Sequence, residues 1–176
     1  MKIKCYCGFD GAGKSTLSKK NKDYFQASIS YNVRLEAYKQ LNLDIQKVDY
    51  PQFKVETFEH NYHFKNGRQV MVDIAQAEKK KYKYYWIDKL LVDLYSVLDK
   101  DIDISIDDVR FIEDAEEILL LKMMYDNVEI EFYYADYKNS DNVFQDETNL
   151  LARMIKEQGY RHGDNITEYI YSLLKN

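Results

Sequence analysis

The sequence predicts an α/β fold, a parallel β-sheet flanked by helices in three α/β/α layers. Segments with apolar residues at every second position take turns along the chain with segments of helical periodicity. The first strand-like segment runs directly into a glycine-rich loop and then into helix-compatible sequence. No repeat, linker or low-complexity stretch interrupts the alternation. With 176 residues, 45% of them hydrophobic, the chain has the size for one domain with a real core. Residues 1–176 are therefore read as a single domain, with a substrate or lid region over about 44–98.

Ile3, Cys5 and Cys7 alternate in the first strand. Two cysteines so close in an extended segment are poorly placed for a mutual disulfide and read as small core residues in a reducing compartment. Next comes Gly8-Phe9-Asp10-Gly11-Ala12-Gly13-Lys14-Ser15-Thr16, a complete G-x-x-x-x-G-K-[ST] pattern. Its glycines allow successive backbone N–H groups to converge on a phosphate. Lys14 adds a mobile positive charge for the β and γ phosphates, and Ser15 a hydroxyl ligand for Mg²⁺. This makes the fold one of P-loop NTPase type. Gly8, Gly11, Ala12, Gly13, Lys14, Ser15 and Thr16 are the expected residues for ATP phosphates.

Residues 15–23 read as the helix after the loop, with Lys19, Lys20 and Lys22 on its solvated face. Phe25, Ala27 and Ile29 alternate in a second short strand over 25–30, and 33–43 has helical spacing. Arg34 faces a phosphate if the Ser30-Tyr31-Asn32 corner lines a cleft, and is otherwise a surface arginine. Residues 44–67 are poorly periodic, contain the only proline, Pro51, and end on the turn signal Asn66-Gly67, so they read as a mobile substrate-side loop. His60 and His63 have no third ligand at sensible spacing and read as surface histidines rather than a metal site. Residues 68–98 form the longest helical stretch, interrupted by Lys79-Lys80-Lys81-Tyr82-Lys83. That run fits a solvated helix face, a cationic lid over a nucleotide or, least well, a nucleic-acid patch.

Residues 101–106 alternate as a strand that ends in Asp107-Asp108. A strand followed by aspartate is used to hold Mg²⁺ or its water, with Asp108 the chosen ligand here. The alternative is a pair of loop aspartates capping the helix expected over 112–124. Residues 128–134 show the clearest period-2 strand, through Val128, Ile130, Phe132 and Tyr134. A polar loop over 135–146 and helices over 149–158 and 166–174 complete the chain.

A net charge of −5 argues against a duplex nucleic-acid binder, which needs a clustered basic excess. No apolar run approaches the ~18 residues of a membrane span and the N-terminus lacks a signal-peptide pattern, so a cytoplasmic protein without a membrane partner is expected.

Several segments resemble, in order, the phage-type deoxynucleoside monophosphate kinase family, relatives of the adenylate and thymidylate kinases. Besides the loop at 8–16, Ser28-Ile29-Ser30-Tyr31-Asn32-Val33-Arg34 resembles the family's strand and following helix, and Arg68 with Trp86-Ile87 resembles its R…W-V stretch. Asp108-Val109-Arg110-Phe111-Ile112-Glu113-Asp114-Ala115-Glu116 is close to the family's D-V-R-F-x-N-E-A-E, and Gly163-Asp164-Asn165-Ile166-Thr167-Glu168-Tyr169 looks like its last turn and helix. The resemblance implies transfer of the γ-phosphoryl group of ATP to a deoxynucleoside monophosphate. It implies Lys14, Asp10 and Arg110 in catalysis, and Ser30, Arg34, Arg68, Lys80, Trp86 and Asp108 toward the acceptor. Trp86 would stack on a base or ribose; a core tryptophan is the alternative. Where the family has a glutamine, a Gly-Thr pair and an arginine, this chain has Val72, Ala75-Gln76 and Lys80, and Glu113-Asp114 replaces Asn-Glu. A thymidylate kinase proper and a nucleotide-binding regulatory protein without turnover are the rival readings. Relatives of this fold often pair as homodimers, so the apolar face over 86–98 reads either as a dimer contact or as core.

Overall fold

A computed structural model describes residues 1–137 and 149–175. In chain order its elements are β1 (Lys2–Cys7), α1 (Lys14–Ser18), β2 (Phe25–Ala27), α2 (Ile29–Gln40), α3 (Tyr50–Val55), β3 (Thr57–His60), β4 (His63–Asn66), α4 (Gly67–Lys81), α5 (Tyr85–Leu98), β5 (Ile104–Val109), α6 (Ile112–Met124), β6 (Glu129–Tyr134), α7 (Leu150–Glu157) and α8 (Thr167–Leu174). The fold is α/β, with a central parallel four-stranded sheet flanked by helices. Two compact units are present, one of Met1–Ile29 with Leu90–Asn176 and the other of Ser30–Lys89. Of the loop expected over 135–146, residues 138–146 lie outside the described residues.

The first unit is built on the sheet, in the order β2-β5-β1-β6 with every pairing parallel. Ile3, Cys5 and Cys7 of β1, Ile104 and Ile106 of β5 and Ile130 and Phe132 of β6 are almost wholly buried. Both cysteines are free thiols of this core. Strands covered on both faces are buried along nearly their whole length, as β5 is although it carries Ser105, Asp107 and Asp108. The outer edge of β6 is covered by the chain near its end. Gly163 N–H donates to Tyr134 O and Ile166 N–H to Phe132 O, which blunts an edge that would otherwise template pairing.

Several sequence expectations are corrected in this unit. The helix expected over 15–23 stops at Ser18, because the Asn21 side chain takes the Ser18 carbonyl and also donates to Tyr6 Oη at 2.6 Å. A buried polar layer forms below α1, where Ser18 Oγ lies 2.7 Å from Gln26 Oε1 and 2.8 Å from Ser105 Oγ. Asp107 and Asp108 are not loop residues after a strand; both lie within β5. The helix-capping role belongs to Asp114, whose Oδ2 accepts from Arg110 N–H at 3.1 Å and Phe111 N–H at 3.0 Å.

The second unit contains α3 and a β3–β4 hairpin where the sequence suggested a featureless loop. Asp49 caps α3 and Pro51 sits in its first turn, where a missing N–H costs nothing. Asn61 and Tyr62, at φ 52° and 63°, make a two-residue hairpin turn with both centres left-handed. Asn66 and Gly67 are a helix start rather than a turn: Asn66 accepts from Gln69 N–H and the Gln69 side chain reaches back to Asn66 N–H. A Cβ on Gly67 would lie 2.3 Å from Phe53 O, so only glycine fits there.

The helix expected over 68–98 is two helices, separated where Tyr82 turns extended at φ −152°. The three lysines 79–81 occupy the last turn of α4, where positive charge suits the helix dipole. Ser30-Tyr31-Asn32 is no corner; α2 begins at Ile29 and includes it. His60 is a buried residue bonded through Nε2 to Gln40 at 3.0 Å, whereas His63 is exposed.

Candidate functional site

Parallel sheets offer a crevice at the carboxyl ends of their strands. In this chain those ends carry the loop 8–16 after β1, Asp107 to Arg110 at the end of β5, and Ala135 to Tyr137 after β6. Gly8 has φ +148°, and a Cβ there would meet Ala135 O at 2.3 Å. The loop and the β6 end are thus in backbone contact, reinforced by Ala135 N–H to Cys7 O at 2.8 Å and Tyr137 N–H to Ala12 O at 2.9 Å. Gly13, at φ +91°, lies under Tyr137, whose Cβ would be 3.1 Å from a side chain at that position.

Lys14 is buried at 6% exposure. Its ammonium donates to Gly8 O at 2.8 Å and Phe9 O at 2.7 Å and lies 3.7 Å from Asp108 Oδ1. Burial lowers its pKa from the ordinary lysine value, and the Asp108 charge opposes that shift. Asp108 Oδ1 also accepts from Arg110 Nε at 2.8 Å. Lys14, Asp108 and Arg110 therefore form one charge cluster, and Asn149, a buried residue at the start of α7, fastens it by donating to Gly8 O at 3.1 Å.

Ser15 is exposed and donates through Oγ to Asp107 Oδ2 at 2.5 Å. The other oxygen, Asp107 Oδ1, is buried and has no hydrogen-bond partner among the described residues. Neighbouring strand residues ordinarily point to opposite faces. Here the β1–β5 register shifts, with Cys5 opposite Ile106 but Cys7 opposite Val109, so β5 carries one extra residue at this place. Such a bulge re-aims side chains, and both aspartates reach partners on the loop side.

Of the expected site residues, Gly8, Gly11, Ala12, Gly13, Lys14, Ser15, Thr16, Asp108 and Arg110 all belong to the first unit. The structure brings Lys14, Ser15, Asp108 and Arg110 into the arrangement above. Asp10 lies exposed on the same loop and Thr16 exposed in α1. The partner of Ser15 differs from expectation: it is Asp107, while Asp108 is committed to Lys14 and Arg110. Only strand register could reveal this, and no spacing in the sequence signals a bulge. Asn149 was missed as well, since its sequence signal is that of a helix cap.

Ser30, Arg34, Arg68, Lys80 and Trp86 belong to the second unit. Arg34 is half-buried on α2 and lies over the rings of Tyr31 and Tyr50. Arg68 and Lys80 are exposed at opposite ends of α4. Trp86 is 3% exposed, its indole N–H donates to Ala75 O at 3.1 Å and its ring meets Tyr85 edge-on. It is a core tryptophan, which corrects the expectation of a face open to stacking.

Among the described residues no group of three or more His, Cys, Asp or Glu side chains is placed to hold a metal ion. A hydroxyl beside one carboxylate with an unpartnered oxygen is nevertheless a hard donor pair that suits Mg²⁺, which takes few protein ligands and completes its shell with water and phosphate. No helix among the described residues is long and apolar enough to cross a membrane. In comparisons with known proteins, no family model, no curated protein and no solved structure matches the chain.

Proposed function

We propose that this chain is a P-loop kinase that transfers the γ-phosphoryl group of ATP to a deoxynucleoside monophosphate, giving ADP and the deoxynucleoside diphosphate. One observation carries the reading. The loop Gly8–Thr16 stands between a strand and a helix at the carboxyl edge of a parallel sheet, with Lys14 and Ser15 each against an aspartate of the neighbouring strand. Backbone N–H groups of the glycine loop receive the phosphates, and the Lys14 ammonium neutralises the β and γ oxygens. Ser15 and Asp107 would hold Mg²⁺, which would neutralise phosphate charge when bound.

An oxygen of the acceptor phosphate forms the new bond to Pγ as the bond between Pγ and the β–γ bridging oxygen breaks, and the electron pair leaves with ADP. The protein's task is alignment and charge compensation rather than covalent chemistry. Arg110, oriented by Asp108, offers its guanidinium to the transferring group. Arg34 takes the acceptor phosphate, and Arg68 and Lys80, at opposite ends of α4, are cations for different parts of the bound nucleotides.

The rival, a nucleotide-binding protein without turnover, is favoured by one feature: the basic end of α4 offers Lys80, a point charge, where a lid arginine would supply a bidentate fork. A coupled assay of ADP formation with ATP, Mg²⁺ and each of dAMP, dGMP, dCMP and dTMP decides between them. Acceptor-dependent ADP is expected, and Lys14→Ala should reduce it about a hundredfold or more. Tight ATP binding with no acceptor-dependent ADP would establish the rival.

A further inference from the structure

Within the first unit, the start of α7 grips the loop 8–16 where that loop begins. Asn149 is 2% exposed; its Oδ1 accepts from Ala152 N–H at 3.1 Å, and its Nδ2 donates to Gly8 O at 3.1 Å, across 141 positions of chain. Ala152, in the first turn of α7, is wholly buried and clusters with Phe9 and Ala12 of the same loop. The Gly8 carbonyl also receives the Lys14 ammonium at 2.8 Å, so its two lone pairs serve two donors, one from the loop itself and one from α7.

Capping a helix accounts for only half of the Asn149 side chain. An N-cap needs an acceptor, and serine or aspartate supplies one as well as asparagine does. The Nδ2 donor is surplus to that role, and it is directed at the carbonyl that anchors Lys14. That carbonyl needs an anchor outside the loop because it belongs to a glycine. Gly8 has φ +148°, and without a Cβ the peptide that follows it has many orientations open to it. Rotation of the Gly8–Phe9 peptide would withdraw the oxygen from Lys14.

We propose that Asn149 is a positioning residue of the phosphate loop: by holding the Gly8 carbonyl it keeps the Lys14 ammonium where a triphosphate meets it. Asn149 acts through Lys14 and not on the ligand. The inference rests on the proposed function only in taking that triphosphate to be ATP, and it is independent of the acceptor and of phosphoryl transfer.

ATP is titrated calorimetrically, with Mg²⁺, into the full chain and its variants. Asn149→Ser and Asn149→Asp both keep an N-cap acceptor and lose the donor, and the aspartate also keeps the size of the side chain. Each should weaken ATP about fivefold or more. Ile155→Val trims the buried face of the same helix; it should lower the melting temperature by a few degrees and leave ATP affinity within about twofold of the parent. In a Lys14→Ala background, Asn149→Ser should weaken ATP by less than about twofold, because the carbonyl then has no ammonium to hold.

The proposal is overturned if both Asn149 variants bind ATP like the parent, if Ile155→Val weakens ATP as much as they do, or if Asn149→Ser costs as much affinity without Lys14 as with it. Its fate separates from that of the kinase reading. A fivefold loss of ATP affinity in Asn149→Ser, in a chain that forms no acceptor-dependent ADP, upholds the positioning role and removes the kinase. Acceptor-dependent ADP from a chain whose ATP affinity is indifferent to Asn149→Ser and Asn149→Asp does the opposite.

Discussion

Asp107 and Asp108 are adjacent, chemically identical and assigned to different work by a bulge, so replacing each with asparagine should give opposite phenotypes. Asp108 is the counter-charge of a buried ammonium: both side chains are 7% exposed and stand 3.7 Å apart. Burial already lowers the Lys14 pKa despite this neighbour, so desolvation outweighs the attraction and the pair is not a net gain to the fold. Removing one member is another matter, because among the described residues it leaves the buried ammonium bonded to the carbonyls of Gly8 and Phe9 alone. Breaking a buried pair costs roughly 3–5 kcal/mol, and the asparagine oxygen can still accept from Arg110, so about 3 kcal/mol is expected for Asp108→Asn. In a chain of 176 residues that corresponds to a melting-temperature drop of about 6–12 °C.

The pH dependence has a definite sign. A lysine whose folded pKa lies below 10.5 holds fewer protons folded than unfolded as pH climbs toward that value. Asp108→Asn depresses it further, so the stability deficit should shrink as pH rises toward 10.5. Asp107→Asn, by contrast, leaves Ser15 an amide oxygen in place of a carboxylate and uncovers no buried cation. Stability should change by about 1 kcal/mol or less. What it should lose is the advantage of Mg²⁺: ATP affinity with and without the ion should become similar, and turnover should fall about a hundredfold. Urea unfolding and ATP titration on both variants decide it. An Asp107→Asn protein with normal Mg²⁺ response, beside a fully stable Asp108→Asn protein that has lost it, would refute the assignment.

Two further outcomes follow from the core and the loop. A methyl on Gly8 would sit 2.3 Å from Ala135 O at φ +148°, whereas on Gly11, at φ +74°, it would meet no described residue beyond its chain neighbours within 4 Å. Gly8→Ala should therefore cost about 3 kcal/mol or more, strain plus overpacking, and Gly11→Ala about 1–2 kcal/mol, strain alone; equal urea midpoints would contradict the packing described. Burial holds the Cys5 and Cys7 thiols well above their ordinary 9.0. Groups with raised folded values keep their stabilising contribution below the unfolded value and lose it as pH rises. Stability should thus fall above pH 9 by about 1.4 kcal/mol per pH unit for each thiol. Replacing both cysteines with alanine should remove that fall between pH 9 and 10, below the range where the raised tyrosines Tyr6, Tyr133 and Tyr134 add their own, as read from urea midpoints; an unchanged slope there would remove the thiols as its cause.

What the sequence reveals depends on how local the determining physics is. β1, β6, α6, α7 and α8 announce themselves through apolar periodicity, and each lies within a few residues of its expected bounds. Parallel pairing follows from helices separating the strands, and the sheet is parallel throughout. The loop 8–16 is contiguous, so its composition is legible in the sequence alone. Non-local features are not. The hairpin β3–β4 turns at Asn61-Tyr62 without a glycine, so the usual short-range signal is half missing. The break between α4 and α5 falls among lysines and tyrosines that carry no proline or glycine.

The same division runs through the candidate site. Lys14 and Ser15 declare themselves by spacing, but which aspartate each one meets is decided by a register shift between β1 and β5. Arg34 declares a cation, but its orientation is decided by Tyr50, the first residue of another element in a stretch too short for periodicity to show. Trp86 declares a large aromatic, and only its buried N–H on Ala75 O decides that it packs rather than presents a face. In each case the residue type limits the chemistry and a contact distant in sequence selects the role. The aspartate pair is therefore the sharpest test of this reading: no property of the two side chains distinguishes them, so any difference between their asparagine variants must come from where β5 places each one.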